Sequence, residues 1–187
     1  MPRCITRPVI STAMVSLGIA TGYERRYGVL KRLGSTPLSR GGLLAAKTVS
    51  VLALEAVQAL ILLGVGAALG WHNEGSLAAA VGLLLIGTVA FAGIGLGCAG
   101  TLRAEANLAV SNALFLVLLF LGGMAYPLDK LPGALQAVAR ALPAAALSDT
   151  VRQALSAGPI SLGAFLTLVG WAIGAPLVAA RTFRWEE

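Results

Sequence analysis

The chain has 187 residues, of which 57% are hydrophobic and 12% charged, and its mean hydropathy is +0.84. A soluble domain carries about 25% charged residues, and a core of this size cannot hide so much apolar surface, so a bilayer is the expected solvent. The formal net charge of +6 does not point to nucleic acid: the basic residues lie between long apolar runs, as membrane topology requires, and aromatics, at 6%, are too few for base-stacking platforms.

In chain order, the first apolar run is 9–23. It follows the basic stretch "MPRCITRP" and is short against the roughly 20 residues of a spanning helix. It continues into Glu24-Arg25-Arg26 with no small-residue cleavage site, so a short, tilted span is expected rather than a signal peptide. Residues 24–42 form a charged cytoplasmic segment, and spans are expected over 43–70, 77–102 and 106–126. Residues 127–159 are punctuated by Pro127, Pro132, Pro143 and Pro159. They are expected to form short helices at, or dipping into, the outer interface: Gly133–Leu142, opened by Pro132 as first helical residue, and Asp149–Ala157, capped by Ser148. Leu135, Val138, Ala139 and Leu142 share one face of the first. A last span, 160–180, precedes a basic tail, 181–187.

The fold expected is therefore an all-α integral membrane protein of about five transmembrane helices, in one domain. Charge sets its sidedness. With 22–47 inside, the inner loops carry nine Lys and Arg (six in 22–47, then Arg103, Arg181 and Arg184), against five outside (Arg3, Arg7, Lys130, Arg140, Arg152). The bias has the sign of the positive-inside rule. Five spans put the N-terminus outside, and one further span upstream removes that awkward start.

Catalytic signatures do not emerge. Gly95-Leu-Gly-Cys-Ala-Gly100 fits G-x-G-x-x-G, but its glycines end a long apolar helix instead of opening one after a strand. Gly93 and Gly97 read better as a small-residue pair for close helix packing or a dimer face, and Gly66/Gly70 and Gly170/Gly174 repeat the spacing. There is no Walker motif and no H-E-x-x-H, and the single His72 has no triad partner. Cys4 and Cys98 do not make a disulfide framework. No metal or cofactor site is expected in this chain.

Polar residues inside spans are more informative. Lys47, Thr48, Ser50, Glu55 and Gln58 fall within about 160° on a helical wheel. An acid within a span faces protein or water, so Lys47, Ser50, Glu55 and Gln58 are candidates for a translocation path, and equally for buried contacts to a neighbouring helix with Lys47 snorkelling. Asn107 and Ser111 read as interhelical glue.

The segment "GYERRYGVLKRLGSTPLSRGGLLAAK" holds six of the 14 Lys and Arg. Over Glu24–Leu33, Tyr27, Val29, Leu30 and Leu33 take one side of a wheel, while Glu24, Arg25, Lys31 and Arg32 take the other, with Arg26 on the apolar side. That pattern is an amphipathic helix at the membrane surface, stopped at Thr36-Pro37. It serves either as a basic loop that sets topology or as a docking surface for a cytoplasmic partner.

E-R-R-x-G-x-L-K-R-L-x-x-T-P-L, from Glu24 to Leu38, followed by Lys47, resembles the cytoplasmic segment of type-2 ATP-binding-cassette (ABC) exporter permeases, particularly the bacterial multidrug and daunorubicin-resistance-like group. The stretch from Tyr126 to Leu155, "YPLDKLPGALQAVARALP…LSDTVRQAL", is similar to that family's outer segment before its last span. The resemblance implies a six-span permease in the bacterial plasma membrane, of which the first span is missing here. It implies a homo- or heterodimer with another permease subunit and a separate cytoplasmic ATPase that carries ATP and Mg. It assigns ATPase coupling to Glu24, Arg25, Arg26, Gly28, Leu30, Lys31, Arg32, Thr36, Pro37 and Leu38. The substrate class implied is a drug, antibiotic or lipid. A stand-alone channel or secondary carrier, or an inactive truncated permease, are the alternatives; a membrane-embedded enzyme lacks its clustered acids, His or nucleophile.

Overall fold

The computed structural model describes residues 2–34, 40–70, 75–123, 132–156 and 158–184. All the regular structure in them is helical: α1 (Pro2–Val9), a π-helical stretch Ile10–Ser16, α2 (Leu17–Arg26), α3 (Val29–Gly34), α4 (Arg40–Ala68), α5 (Leu77–Thr101), α6 (Ala104–Leu121), α7 (Gly133–Ala141), α8 (Pro143–Leu155) and α9 (Leu162–Thr182). Among the described residues four helices are long and apolar enough to cross a membrane: Gly41–Ala68, Leu77–Thr101, Ala104–Leu121 and Leu162–Thr182. The protein is an all-α, multi-pass integral membrane protein.

The short first run lies within a longer helical rod. α1, the π-helical stretch and α2 follow one another without a break from Pro2 to Arg26. Pro8, within α1, has no N–H to donate, and the winding widens two residues beyond it. The rod is buried along Val9, Ile10, Ala13, Met14 and Leu17.

At the centre stands α5. It is the most enclosed of the four long helices, with 44% of its most apolar window buried against 11% for α4. Its glycines let neighbours approach to backbone distance. A Cβ placed on Gly93 would stand 2.5 Å from the Pro176 nitrogen of α9, and one on Gly100 would meet the Phe183 ring and backbone. On another face, a Cβ on Gly18 of α2 would stand 3.0 Å from the Gly95 carbonyl oxygen. Gly93 and Gly97 thus pack within the chain against α9, Gly97 facing Ala179. Gly170 has no neighbour within 4 Å. Close approach replaces the missing hydrophobic driving force between helices in lipid. Ser76 caps α5, its Oγ accepting from the Ala79 N–H at 3.2 Å.

α7 and α8 form a helical pair whose apex sits inside the bundle. Trp171 Nε1 on α9 donates to the Ala141 carbonyl at 3.0 Å, and Gly122, just past α6, lies against Ala144. α8 then climbs antiparallel to α5, with Leu147 against Gly87 and the Ser76 N–H donating to the Ala154 carbonyl at 2.9 Å. From Ser76 to Gly87 is about 16 Å of helix, and α8 packs beside α5 over that length. Two expectations need correction. Ser148 does not cap a helix: α8 begins at Pro143, which suits a first turn that needs no N–H, and runs through the buried Ser148. Pro132 is the residue before α7, not its first. The predicted apolar face of α7 also turns outward, with Leu135 and Val138 exposed and only Ala139 buried.

Candidate functional site

The candidate site is the basic end of the bundle, where α2 passes into α3. The expected single helix from Glu24 to Leu33 is two helices. α2 stops at Arg26, and Gly28 takes a positive φ of 72°, with its N–H donating to the Arg25 carbonyl at 3.1 Å. A left-handed residue after a helix closes its free carbonyls, and glycine adopts it without strain. The six-residue α3 then leaves in a new direction. Leu30 anchors it and is fully buried, whereas Lys31 and Arg32 are exposed.

The bend reorders the faces read from the wheel. Of the residues placed on the apolar side, Leu30 is buried in the bundle, whereas Tyr27 and Val29 are exposed on its surface. Tyr27 stacks on Tyr23 with ring centroids 6.2 Å apart. Arg25, expected on the charged outer side, is turned inward and is only 4% exposed. Its Nη1 donates to the Ala99 carbonyl at 2.7 Å and its Nη2 to the Leu102 carbonyl at 2.8 Å. These carbonyls close α5, so a guanidinium here satisfies helix-end acceptors and opposes the negative end of the dipole.

Around Arg25 the ends of the other long helices are tied together. Arg26 pairs with Glu105 in the first turn of α6. Lys47 on α4 donates to Glu24 at 2.5 Å. The Arg184 N–H donates to the Gly100 carbonyl at 3.1 Å, bringing in the chain beyond α9. One level deeper, Asn107 Nδ2 donates to the Gly18 carbonyl of α2 at 2.8 Å, an interhelical bond, while Ser111 donates to Asn107 Oδ1 at 3.3 Å within α6. α2, which leads into α3, is thus bonded directly to α4, α5 and α6.

Of the coupling residues named from sequence, Glu24, Arg25, Arg26, Gly28, Leu30, Lys31 and Arg32 converge here. Thr36, Pro37 and Leu38 lie outside the described residues. Glu105 and Tyr27 belong to the same end. The acid at a helix N-terminus signalled Glu105; Tyr27 carried no signal until the break at Gly28 was known.

The polar residues of α4 turn to different partners, although Glu55 and Gln58 line one groove. Lys47 turns to Glu24, Ser50 is exposed and donates to its own Ala46 carbonyl at 3.0 Å, Glu55 accepts from Thr88 on α5, and Gln58 Oε1 accepts from Thr12 at 3.5 Å. Three of the four make contacts to neighbouring helices. Among the described residues no three His, Cys, Asp or Glu side chains converge on a metal-sized site.

The chain is a polytopic helical bundle in which α4, α5 and α6 are tied to the last turn of α2. The chain belongs to the ABC-2 type transporter family, which it matches over residues 9–156, from the first apolar run through α8. A comparison with curated proteins returns no match.

Proposed function

We propose that this protein is the permease subunit of an ABC exporter in the bacterial plasma membrane. It works as a homo- or heterodimer with another permease subunit, moving a drug, antibiotic, lipid or similar molecule outward. Energy comes from ATP hydrolysed, with Mg, by a separate ATPase that docks on α3 and the segment continuing to Thr36, Pro37 and Leu38. The chain itself has no catalytic role.

The observation that carries this reading is the division of labour at the basic end. Tyr27, Val29, Lys31 and Arg32 present an exposed aromatic, aliphatic and basic surface, while Arg25, Arg26 and Glu24 fasten that surface to α5, α6 and α4. A topology-setting loop needs basic residues but does not need a fixed helix with its flanking arginine buried in the bundle. Arg25 is accordingly a positioning residue, and Lys31 and Arg32 are the contacting ones.

The test is purification of the tagged protein from its own host in mild detergent. A soluble ATPase carrying a Walker motif is expected in stoichiometric amount. Recovery of a transport-competent protein without any ATPase contradicts the proposal and favours a stand-alone carrier.

A further inference from the structure

Apart from α3 and the clasp around Arg25, the basic end carries three further arginines. Arg103, Arg181 and Arg184 are exposed, and among the described residues their side chains make no hydrogen bond or ion pair. The fold gathers them at one place. The Arg184 N–H donates to the Gly100 carbonyl at 3.1 Å, so the chain beyond α9 runs beside the end of α5. Arg103 follows α5 directly, and Arg181 lies in the last turn of α9. Like charges brought together repel one another, and a counter-anion relieves that repulsion. The planar fork of arginine suits phosphate in particular.

These arginines flank the mouth of a groove. A cavity of about 540 Å³ lies between α5 and α9, with Thr101 and Thr182 at its basic end and Trp171 at the other. Its walls are apolar: Ile94 and Val178 line it, and Gly97 and Gly174 leave it room. A Cβ on Gly174 would meet nothing within 4 Å. From Trp171 to Thr182 is about 16 Å of helix, which is half of the roughly 30 Å hydrocarbon core and matches the depth of one leaflet. The two threonines at the mouth give their hydroxyl protons to the Gly97 and Val178 carbonyls of their own helices, at 2.8 Å each. Recognition of a charged group there falls to the arginines.

We infer that this groove and its arginines bind an anionic phospholipid from the leaflet at the basic end. One acyl chain lies along the groove, and the phosphate sits among Arg103, Arg181 and Arg184. Charge complementarity selects this occupant over a neutral lipid, and a groove as deep as one leaflet selects it over a free anion. The site is independent of the exporter reading, since it requires neither an ATPase nor a transported molecule.

Native mass spectrometry of the delipidated full chain in mild detergent tests it, by titration with dioleoyl phosphatidylglycerol and, separately, dioleoyl phosphatidylcholine. Phosphatidylglycerol is expected to bind saturably, and phosphatidylcholine about tenfold or more weakly, on the scale of several basic side chains at an anionic headgroup. The combined variant Arg103→Gln/Arg181→Gln/Arg184→Gln should reduce phosphatidylglycerol binding to the phosphatidylcholine level. Gly174→Leu, which fills the groove and keeps the arginines, should weaken it about tenfold or more as well. Equal binding of the two lipids, no saturable binding, or undiminished binding in either folded variant overturns the proposal. Competition by inorganic phosphate as strong as by the lipid would reduce the site to a bare anion site and also overturn it. Conversion of a dimer to a monomer by Gly174→Leu would show that a second copy fills the groove instead. If the combined variant does not fold, the single arginine variants and the comparison of the two lipids decide.

Discussion

Arg25 and Ala99, 74 residues apart in the chain, are joined by a buried hydrogen bond of 2.7 Å from the guanidinium Nη1 to the carbonyl oxygen. A second bond of 2.8 Å reaches Leu102. The pair ties the last turn of α2 to the last turn of α5, the central helix, and so sets the direction in which α3 departs.

Replacing Arg25 with Gln removes both bonds and leaves the two carbonyls without their charged donor. Loss of roughly 3 kcal/mol of stability is expected, since a hydrogen bond to a charged group contributes about 1.5–3 kcal/mol. Arg25→Lys, which keeps the charge but not the fork, is expected to fall between. Thermal unfolding in detergent checks both, and a Gln variant as stable as wild type would show that the clasp does not hold the bundle.

The close crossing of α2 and α5 predicts a contrast between two glycines. At Gly18 an added methyl would stand 3.0 Å from the Gly95 carbonyl oxygen and 3.2 Å from its Cα, both backbone atoms that cannot rotate away. Gly18→Ala should cost about 1–3 kcal/mol by overpacking. Gly170→Ala, in α9 with nothing within 4 Å, should be neutral or stabilising by up to about 1 kcal/mol. Melting temperatures of the two variants, measured side by side, test the packing directly.

Asn107 is fully buried and donates to the Gly18 carbonyl at 2.8 Å. Hydrogen bonds between membrane helices average about 0.6 kcal/mol and reach about 1.7 kcal/mol. Asn107→Leu also puts a bulkier group where a Cβ on Gly22 would already lie 2.7 Å from Nδ2. The variant should lose about 1–2 kcal/mol, whereas Asn112, exposed and bonded only to its own helix, should tolerate Leu. Unfolding in mixed micelles separates the two.

The Glu24–Lys47 pair links α2 to α4, with side-chain exposures of 36% and 15%. Solvent screening at Glu24 limits its coupling to about 0.5–1 kcal/mol. A double-mutant cycle with Glu24→Gln and Lys47→Met should return that value, and additive single effects would show that the two ends move independently.

The sequence announced its solvent and its long helices plainly, because uninterrupted apolar runs such as 77–102 admit few other structures. The basic segment was equally visible, and so were Asn107 and Ser111 as polar residues inside a span. What stayed hidden depends on partners distant in the chain. A helical wheel drawn from Glu24 to Leu33 assumes one straight axis, and a single left-handed glycine, Gly28, invalidates it. Arg25 looked like a surface charge because nothing local reveals the two α5 carbonyls that it caps. The pairing of Glu55 with Thr88 required the α4–α5 packing, since either residue alone reads only as a polar interruption. The early start of α8 at Pro143, ahead of the expected cap Ser148, likewise goes with tertiary burial of residues 144–148.

The central claim is that α3 is where an ATPase engages the permease, and affinity between the two purified components tests it most directly. The double variant Lys31→Glu/Arg32→Glu alters two exposed side chains and leaves Arg25, Leu30 and the helix-end contacts in place. If α3 is the docking helix, the affinity of the folded variant for the ATPase should fall about tenfold or more, the scale for truncating contacting charges at an interface. Unchanged affinity in a folded variant would contradict the account.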